Sequence, residues 1–484
     1  MAWLSSVPRT VYLGTFVSAP HPGPDAGLEI RDGAVLVSAE GVIEKCDWSV
    51  RSAEEARRVF GLEEEVVVRT LGPGEGNGFW FPGFVDTHIH APQYPNTGIF
   101  GQSTLLDWLD TYTFPLESSF GNPNSPFYTS HPTHNPPTNL LTRAKRIYCR
   151  VISRTLASGT TTAAYYATIH VEATNALADL ALELGQRALI GRVCMDEART
   201  CPEYYRDEST EISMANSRAC VEHCRSLDPS GERIKPILTP RFAPSCRLST
   251  LTALARLAKQ EKLMVQTHIS ENTSEIEMVR RMFPHSDSYA AVYDEAGLLG
   301  EKTILAHAVH LSREERALVK ERKAKVAHCP ASNSALGSGY CPVRTLLEEG
   351  IDVGLGTDVS GGFSLSVLEA VRQAYLVSRT VAYHAGGNTK YNIGFAEGLH
   401  LATVGGAKVV GMEGRIGAFR EGMLWDVQEV RLGRVDGHGK GGSSAVDLFG
   451  WETWEEKVAK WVWNGDDRNV KRVWIGGRLV HEQD

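Results

Sequence analysis

Pro82-Gly83-Phe84-Val85-Asp86-Thr87-His88-Ile89-His90 is a largely apolar run that ends in two histidines one residue apart. In a β-strand residues i and i+2 point to the same face, so His88 and His90 present both imidazoles to one point. With 16 histidines in the chain, one such pair carries little weight by itself. It gains weight because further strand-like runs end in His268, His307 and Asp358. Several histidines with one carboxylate form a natural donor set for a divalent metal. The pattern predicts a mononuclear metallohydrolase.

Working outward, residues 79–411 contain eight short apolar runs, each closing on polar residues and followed by a helix-like stretch: 84–90, 161–167, 189–195, 236–242, 264–270, 303–309, 325–330 and 351–358. Near-continuous apolar strands alternating with amphipathic helices predict a parallel sheet. Eight of them predict an α/β fold closed as a (β/α)8 TIM-like barrel, whose sites lie at the C-terminal strand ends. Ser312-Arg-Glu-Glu315 reads as a capping box opening one of the helices. Residues 1–78 and 413–484 look like short antiparallel strands, such as 34–43 and 473–480. Neither end is long enough for a core of its own. They are expected to join as a small discontinuous β-sandwich domain beside the barrel domain, 79–412. The stretch 118–139, rich in Pro, Asn, Ser and Thr, is expected to be a long surface loop with His131 and His134 in solvent.

The bulk composition excludes more than it selects. At 484 residues about two domains are expected. A net charge of −8 argues against nucleic acid or an acidic membrane surface as partner. No apolar run approaches the roughly 20 residues of a transmembrane helix, and the N-terminus lacks a basic segment and a cleavage site, so no signal peptide is expected. Nine scattered cysteines read as reduced thiols, Cys220 and Cys224 among them, and the expected compartment is the cytoplasm.

The strand ends suggest roles. His88, His90, His268 and Asp358 are four metal ligands, since barrel closure puts the eighth strand beside the first. Zinc or ferrous iron suits this set, and such a metal lowers the pKa of a bound water to about 7. Glu271, three residues after His268, is the best placed proton carrier. Asp358 doubles as base for the attacking water. His307 is a further ligand or a hydrogen-bonding group toward that water; with four ligands already assigned, the second role is preferred. Arg241 and Phe242 set a guanidinium beside an aromatic ring and suit a planar heterocycle with a carbonyl. Gln93 offers a donor and an acceptor to a ring edge. Cys329 reads as structural. No phosphate-binding loop, dinucleotide fingerprint or nucleophile elbow is present.

Several quoted segments together resemble the amidohydrolase superfamily, in its metal-dependent aminohydrolase branch. They are Pro82-Gly-Phe-Val-Asp-Thr-His-Ile-His-Ala-Pro-Gln-Tyr94, Leu106-Asp-Trp-Leu-Asp-Thr-Tyr-Thr-Phe-Pro115, Thr239-Pro-Arg-Phe242, His268-Ile-Ser-Glu-Asn272, Ala327-His-Cys-Pro330 and Gly354-Leu-Gly-Thr-Asp-Val359. Gln93, the Thr-Pro-Arg-Phe run and the 106–115 segment resemble its guanine-specific members in particular. The resemblance implies hydrolytic deamination of guanine to xanthine and ammonia by a cytosolic homodimer with one zinc per subunit. It implies zinc on His88, His90, His268 and Asp358, proton transfer by Glu271, and acceptance of the water proton by Asp358. It implies Arg241 on the purine carbonyl, Gln93 on the ring edge and Phe242 against the base, with His268 and Glu271 also bordering the substrate. Ala308 stands where members of the family often have glycine. The alternatives are an aminohydrolase acting on another nitrogen heterocycle and a catalytically inactive scaffold.

Overall fold

The structure, a computed structural model, describes residues 7–23, 27–63, 66–71, 77–99, 101–130, 139–435 and 444–483. Two sheets organise it. In chain order the first strands are β1 (Thr10–Ser18), β2 (Glu29–Val37), β3 (Ile43–Asp47), β4 (Val67–Thr70) and β5 (Phe79–Pro82). The barrel strands follow: β6 (Phe84–His90), β7 (Thr160–Tyr166), β8 (Arg187–Gly191), β9 (Val193–Cys194), β10 (Ile234–Pro240), β11 (Met264–Ile269), β12 (Thr303–His307), β13 (Lys325–His328) and β14 (Val353–Leu355). The chain ends with β15 (Val427–Val430), β16 (Val470–Ile475) and β17 (Arg478–Glu482).

Strands β6, β7, β8, β10, β11, β12, β13 and β14 pair in parallel in that order. Backbone bonds from Asp358 N to His88 O (2.8 Å) and from His90 N to Val359 O (3.1 Å) close the ring between the eighth strand's exit and the first strand. The expected (β/α)8 barrel is therefore present. Several expected strands end early, 303–309 at His307 and 325–330 at His328 among them, and two depart further. The run 189–195 divides into β8 and β9, both paired to β10, with Arg192 between them turned to the carbonyl of Ile169 and to Asp207. The run 351–358 is regular only over β14, because Asp358 leaves the extended region for φ 48°.

Inside the barrel Val85, Ala164, Leu189, Ile237, Ile304 and Ala327 pack with Val409, Met412 and Ile416. Gly406 is required at this plug: a Cβ there would lie 2.7 Å from the Cβ of Val85. Asn139, Asn272 and Ser312 cap the helices Leu140–Ala157, Thr273–Met282 and Arg313–Glu321, the last two with complete capping boxes, as the 312–315 reading anticipates.

The two ends of the chain build one continuous mixed sheet, β17-β16-β15-β5-β1-β2-β3, with β4 also on β1. Its rings, Tyr12, Trp80, Trp425 and Trp474, interlock at centroid distances of 4.0 to 6.1 Å. Strand β5 pairs with β15 and β1 and so belongs to this sheet, although it lies inside the 79–412 range. The buried Arg187–Asp426 pair (3.0 Å) ties the sheet to the barrel, and Asp426 also accepts from Gly476 N at 2.7 Å. The surface-loop expectation for 118–139 fails over its first part. Ser118 and Ser125 are buried and share a hydroxyl contact at 2.6 Å, and Pro126–Ser130 is helical. His131 and His134 lie outside the described residues.

Candidate functional site

Every site residue expected from the sequence arrives at one end of the barrel, and all of them are buried except His268, which is partly exposed. His88 and His90 share a face of β6 because two residues complete one pleat. Asp358 meets them from the eighth strand's exit: its Oδ1 stands 3.1 Å from His88 Nε2 and 3.4 Å from His90 Nε2. His268, from β11, brings its Nε2 to 3.2 Å from that of His90. His307 ends β12, with Nε2 3.4 Å from Glu271 Oε2 and 3.9 Å from Asp358 Oδ2. Four non-glycine residues at these strand ends, Ser270, His307, Ala308 and Asp358, have φ between 48° and 74°. Such strained backbone concentrates at functional sites, and at residue 308 it gives the physical reason a glycine would fit.

The donors suit a divalent cation. Burial first, and then the neighbouring imidazoles, push His90 and His268 well below the ordinary range, with Arg241 adding to the effect at His90; burial also lowers His88. All three are therefore neutral, with lone pairs available. Burial alone would raise the Asp358 carboxyl, but the facing imidazoles, His88 foremost, hold it well below the carboxylate range. His88 Nδ1 and Nε2, His90 Nδ1 and His307 Nε2 are buried without a hydrogen-bond partner, a cost that a bound ion would relieve. His88, His90 and His268 offer ligand atoms within 4.8 Å of one another, as do His88, His307, Cys329 and Asp358. Cys329 thus stands nearer the centre than its structural reading implies. Burial raises its thiol well above the ordinary value, so it is protonated.

Supporting groups orient these donors, and most were not legible beforehand. His268 donates from Nδ1 to the carbonyl of Arg241 at 2.6 Å, which turns the Nε2 lone pair inward. Asn333 Oδ1 receives the Nδ1 hydrogen of His307 at 2.9 Å. Asp86 accepts from the backbone and hydroxyl of Thr357 at 3.0 and 2.5 Å and from His88 N at 3.2 Å, pinning the first strand to the eighth. Burial pushes the Glu271 carboxyl up to about 7, with Asp358 adding to the rise against the pull of His307. Ser338 holds its Oε1 at 3.1 Å.

A cleft opens onto this cluster. Gln93, Arg241, Phe242 and Glu271 line it, together with the apolar side chains Leu105, Trp108, Leu109 and Leu336, which sequence reasoning missed. Arg241 and Gln93 are both bound to Glu117, a buried carboxylate that the sequence reading passed over, although it stands only two residues beyond the 106–115 segment.

A barrel with histidines on the first, fifth and sixth strands and an aspartate at the eighth defines a hydrolase class that works with a metal. Residues 79–480 match the amidohydrolase family, and the chain belongs to it. Its similarity is narrower than the family. It is 43% identical over 471 residues to a probable guanine deaminase of Schizosaccharomyces pombe, covering 97% of this chain and 83% of that one. It is 39% identical over 479 residues to guanine deaminase of Homo sapiens, covering 97% and 96%. The guanine deaminase of C. acetobutylicum, solved with guanine in its active site, superposes with a TM-score of 0.82 at 29% identity over 98% of this chain and 100% of that one.

Proposed function

We propose that this protein hydrolyses guanine to xanthine and ammonia. The observation that carries the reading is the junction of two half-sites in one cleft: a cluster of neutral imidazoles with Asp358 and Glu271, and an arginine and an amide set to receive a ring carbonyl and its edge. Relatives at 39–43% identity over nearly the whole chain are guanine deaminases, which supports the same substrate.

His88, His90, His268 and Asp358 would hold one zinc per subunit, with ferrous iron as the second choice for such ligands. When bound, the metal supplies Lewis acidity that makes water a nucleophile at neutral pH. The protein's own groups do the rest. Arg241 donates to the purine carbonyl, Gln93 meets the ring edge and Phe242 packs on the base. Water adds to C2, and Asp358 takes one of its protons. Glu271, with a pKa near 7, is poised to give a proton to N3. His307 stands 3.4 Å from Glu271 and 3.9 Å from Asp358, where it can orient the incoming water. Asp358 passes its proton to the amine, the C2–N bond breaks to release ammonia, and the C2 hydroxyl proton returns to Glu271, leaving xanthine.

We place the enzyme in the cytoplasm as a homodimer; among the described residues no helix is long and apolar enough to cross a membrane. The test is ammonia release from guanine, adenine, cytosine and guanosine by enzyme of known zinc and iron content. Turnover of guanine alone, abolished by chelation and restored by metal, is the expected result. Activity confined to another base would retain the metal chemistry and overturn the roles of Arg241 and Gln93.

A further inference from the structure

Glu117 sits in the helix Phe114–Ser118 with none of its side chain exposed, and it does not line the cleft. Its carboxylate nevertheless accepts four hydrogen bonds from three side chains. Arg241 donates from Nη1 to Oε2 at 2.7 Å and from Nη2 to Oε1 at 3.2 Å. Gln93 Nε2 donates to Oε1 at 2.7 Å, and the Tyr205 hydroxyl donates to Oε2 at 2.5 Å. Two of these three partners, Arg241 and Gln93, are polar side chains that line the cleft.

We propose that Glu117 is the positioning and specificity residue of the substrate pocket, orienting Arg241 and Gln93 and fitting the pocket to a neutral carbonyl-bearing ring in preference to an anionic one. The proposal rests on the guanine reading above. Two physical arguments carry it.

The first is orientation. An ionised carboxylate only accepts, so the amide of Gln93 must turn its NH2 toward Glu117. The amide oxygen then faces the other way and accepts from Ser360 N at 3.3 Å. Arg241 has five N–H groups and spends two on the carboxylate. The fork is thereby locked in plane while its remaining hydrogens stay available to a carbonyl. Phe114 backs the same guanidinium at 5.3 Å from its ring centre.

The second argument is charge. Among the described residues lining the cleft, Arg241 is the only lysine or arginine. A bare buried guanidinium is best matched by an oxyanion, which accepts two charge-assisted bonds. With Glu117 bound the pair is neutral, so a carbonyl gains hydrogen bonds without a net charge to be cancelled. An anionic ring then finds no uncompensated charge at Arg241.

The experiment compares four metal-loaded proteins: the parent, Glu117→Gln, Arg241→Ala and the double variant. It measures kcat and KM for guanine and inhibition by urate, an anionic purine probe at neutral pH. Glu117→Gln is expected to raise KM about tenfold to a hundredfold, the loss of a charged hydrogen-bond network, with kcat changed far less. Urate should bind Glu117→Gln about tenfold tighter than the parent, a gain that a purely structural role would not produce. Both effects should vanish in the Arg241→Ala background, where Glu117→Gln alters kcat/KM less than about threefold. Unchanged KM and unchanged urate inhibition, or full additivity of the two substitutions, overturn the proposal. Should Glu117→Gln fail to fold, Glu117→Asp keeps the charge but shortens the reach. It should raise KM without any gain for urate, and parent-like KM would count against Glu117. A parent silent on guanine but active on another base defeats the substrate reading; an active parent with an additive cycle defeats only the role of Glu117.

Discussion

His268 gives its Nδ1 hydrogen to the backbone carbonyl of Arg241 at 2.6 Å, so one residue of β11 faces the histidine cluster while leaning on the residue proposed to read the substrate. The neighbouring strand ends are locked together by His268 N to Arg241 O at 3.1 Å as well. Displacement of the arginine backbone would be felt at the imidazole, because two hydrogen bonds join the two sides of the cleft at this point.

The proton carrier can be isolated from the metal. Glu271→Gln keeps the shape and the Ser338 contact but cannot release or accept a proton. Metal content should match the parent while kcat falls about a hundredfold to ten-thousandfold. Metal analysis beside steady-state kinetics decides it, and substantial turnover would remove Glu271 from the role.

Asp358→Ala should lose both metal and activity, because it removes the one carboxylate facing His88 and His90. The apoprotein made by chelation should melt at lower temperature than the loaded protein, with stability recovering as the free metal exceeds its Kd. A variant that is fully metallated and active would exclude Asp358 as a ligand.

Removal of Arg241 should cost stability as well as binding. Arg241→Ala leaves Glu117 buried without its counter-charge, a change worth about 3–5 kcal/mol when one partner of a buried pair is lost. Adding Glu117→Gln should return much of the lost melting temperature without restoring guanine affinity. Differential scanning calorimetry of the single and double variants makes the comparison, and a double variant less stable than Arg241→Ala would contradict it.

Mild acid should destabilise the fold through its buried histidines before carboxylates of ordinary pKa titrate, while Glu271, raised to about 7, acts in the opposite sense. Burial lowers His328 from 6.5 to about 3 and His170 to about 4. The native state therefore stays unprotonated at these sites while the unfolded chain takes up protons below its ordinary histidine pKa. Stability contributed by each depressed histidine is present above 6.5 and is lost as pH falls through it toward the folded value. For the fully buried His328 the loss is on the order of 2 kcal/mol between 6.5 and about 5. Melting temperatures across that range at fixed salt should decline, and His328→Leu should flatten the decline.

Some of this protein is written in the order of its residues. The period of two in a strand makes His88 and His90 neighbours without reference to the rest of the chain. The alternation of apolar runs with helical stretches specifies a parallel barrel, and a barrel delivers strand ends to one face. His268, His307 and Asp358 were therefore legible as site residues before any coordinates, as was the placement of Glu271 beside them. The capping box at Ser312 was legible too, since it depends on contacts three residues apart.

The rest was decided by contacts between distant parts of the chain. Glu117 meets Arg241 across 124 residues and Tyr205 across 88, and Asp86 meets Thr357 across 271. No local periodicity signals such a meeting. A glutamate in a short helix reads as a solvated residue until the fold buries it against a guanidinium. The same holds for 118–130, whose composition signals a loop while Ser118 and Ser125 are drawn into the interior. Propensity and spacing act over a few residues, which suffices to determine strands, caps and the directions of ligands. Burial is a property of the whole packed chain, and it alone determines which polar groups lose their water and must find one another.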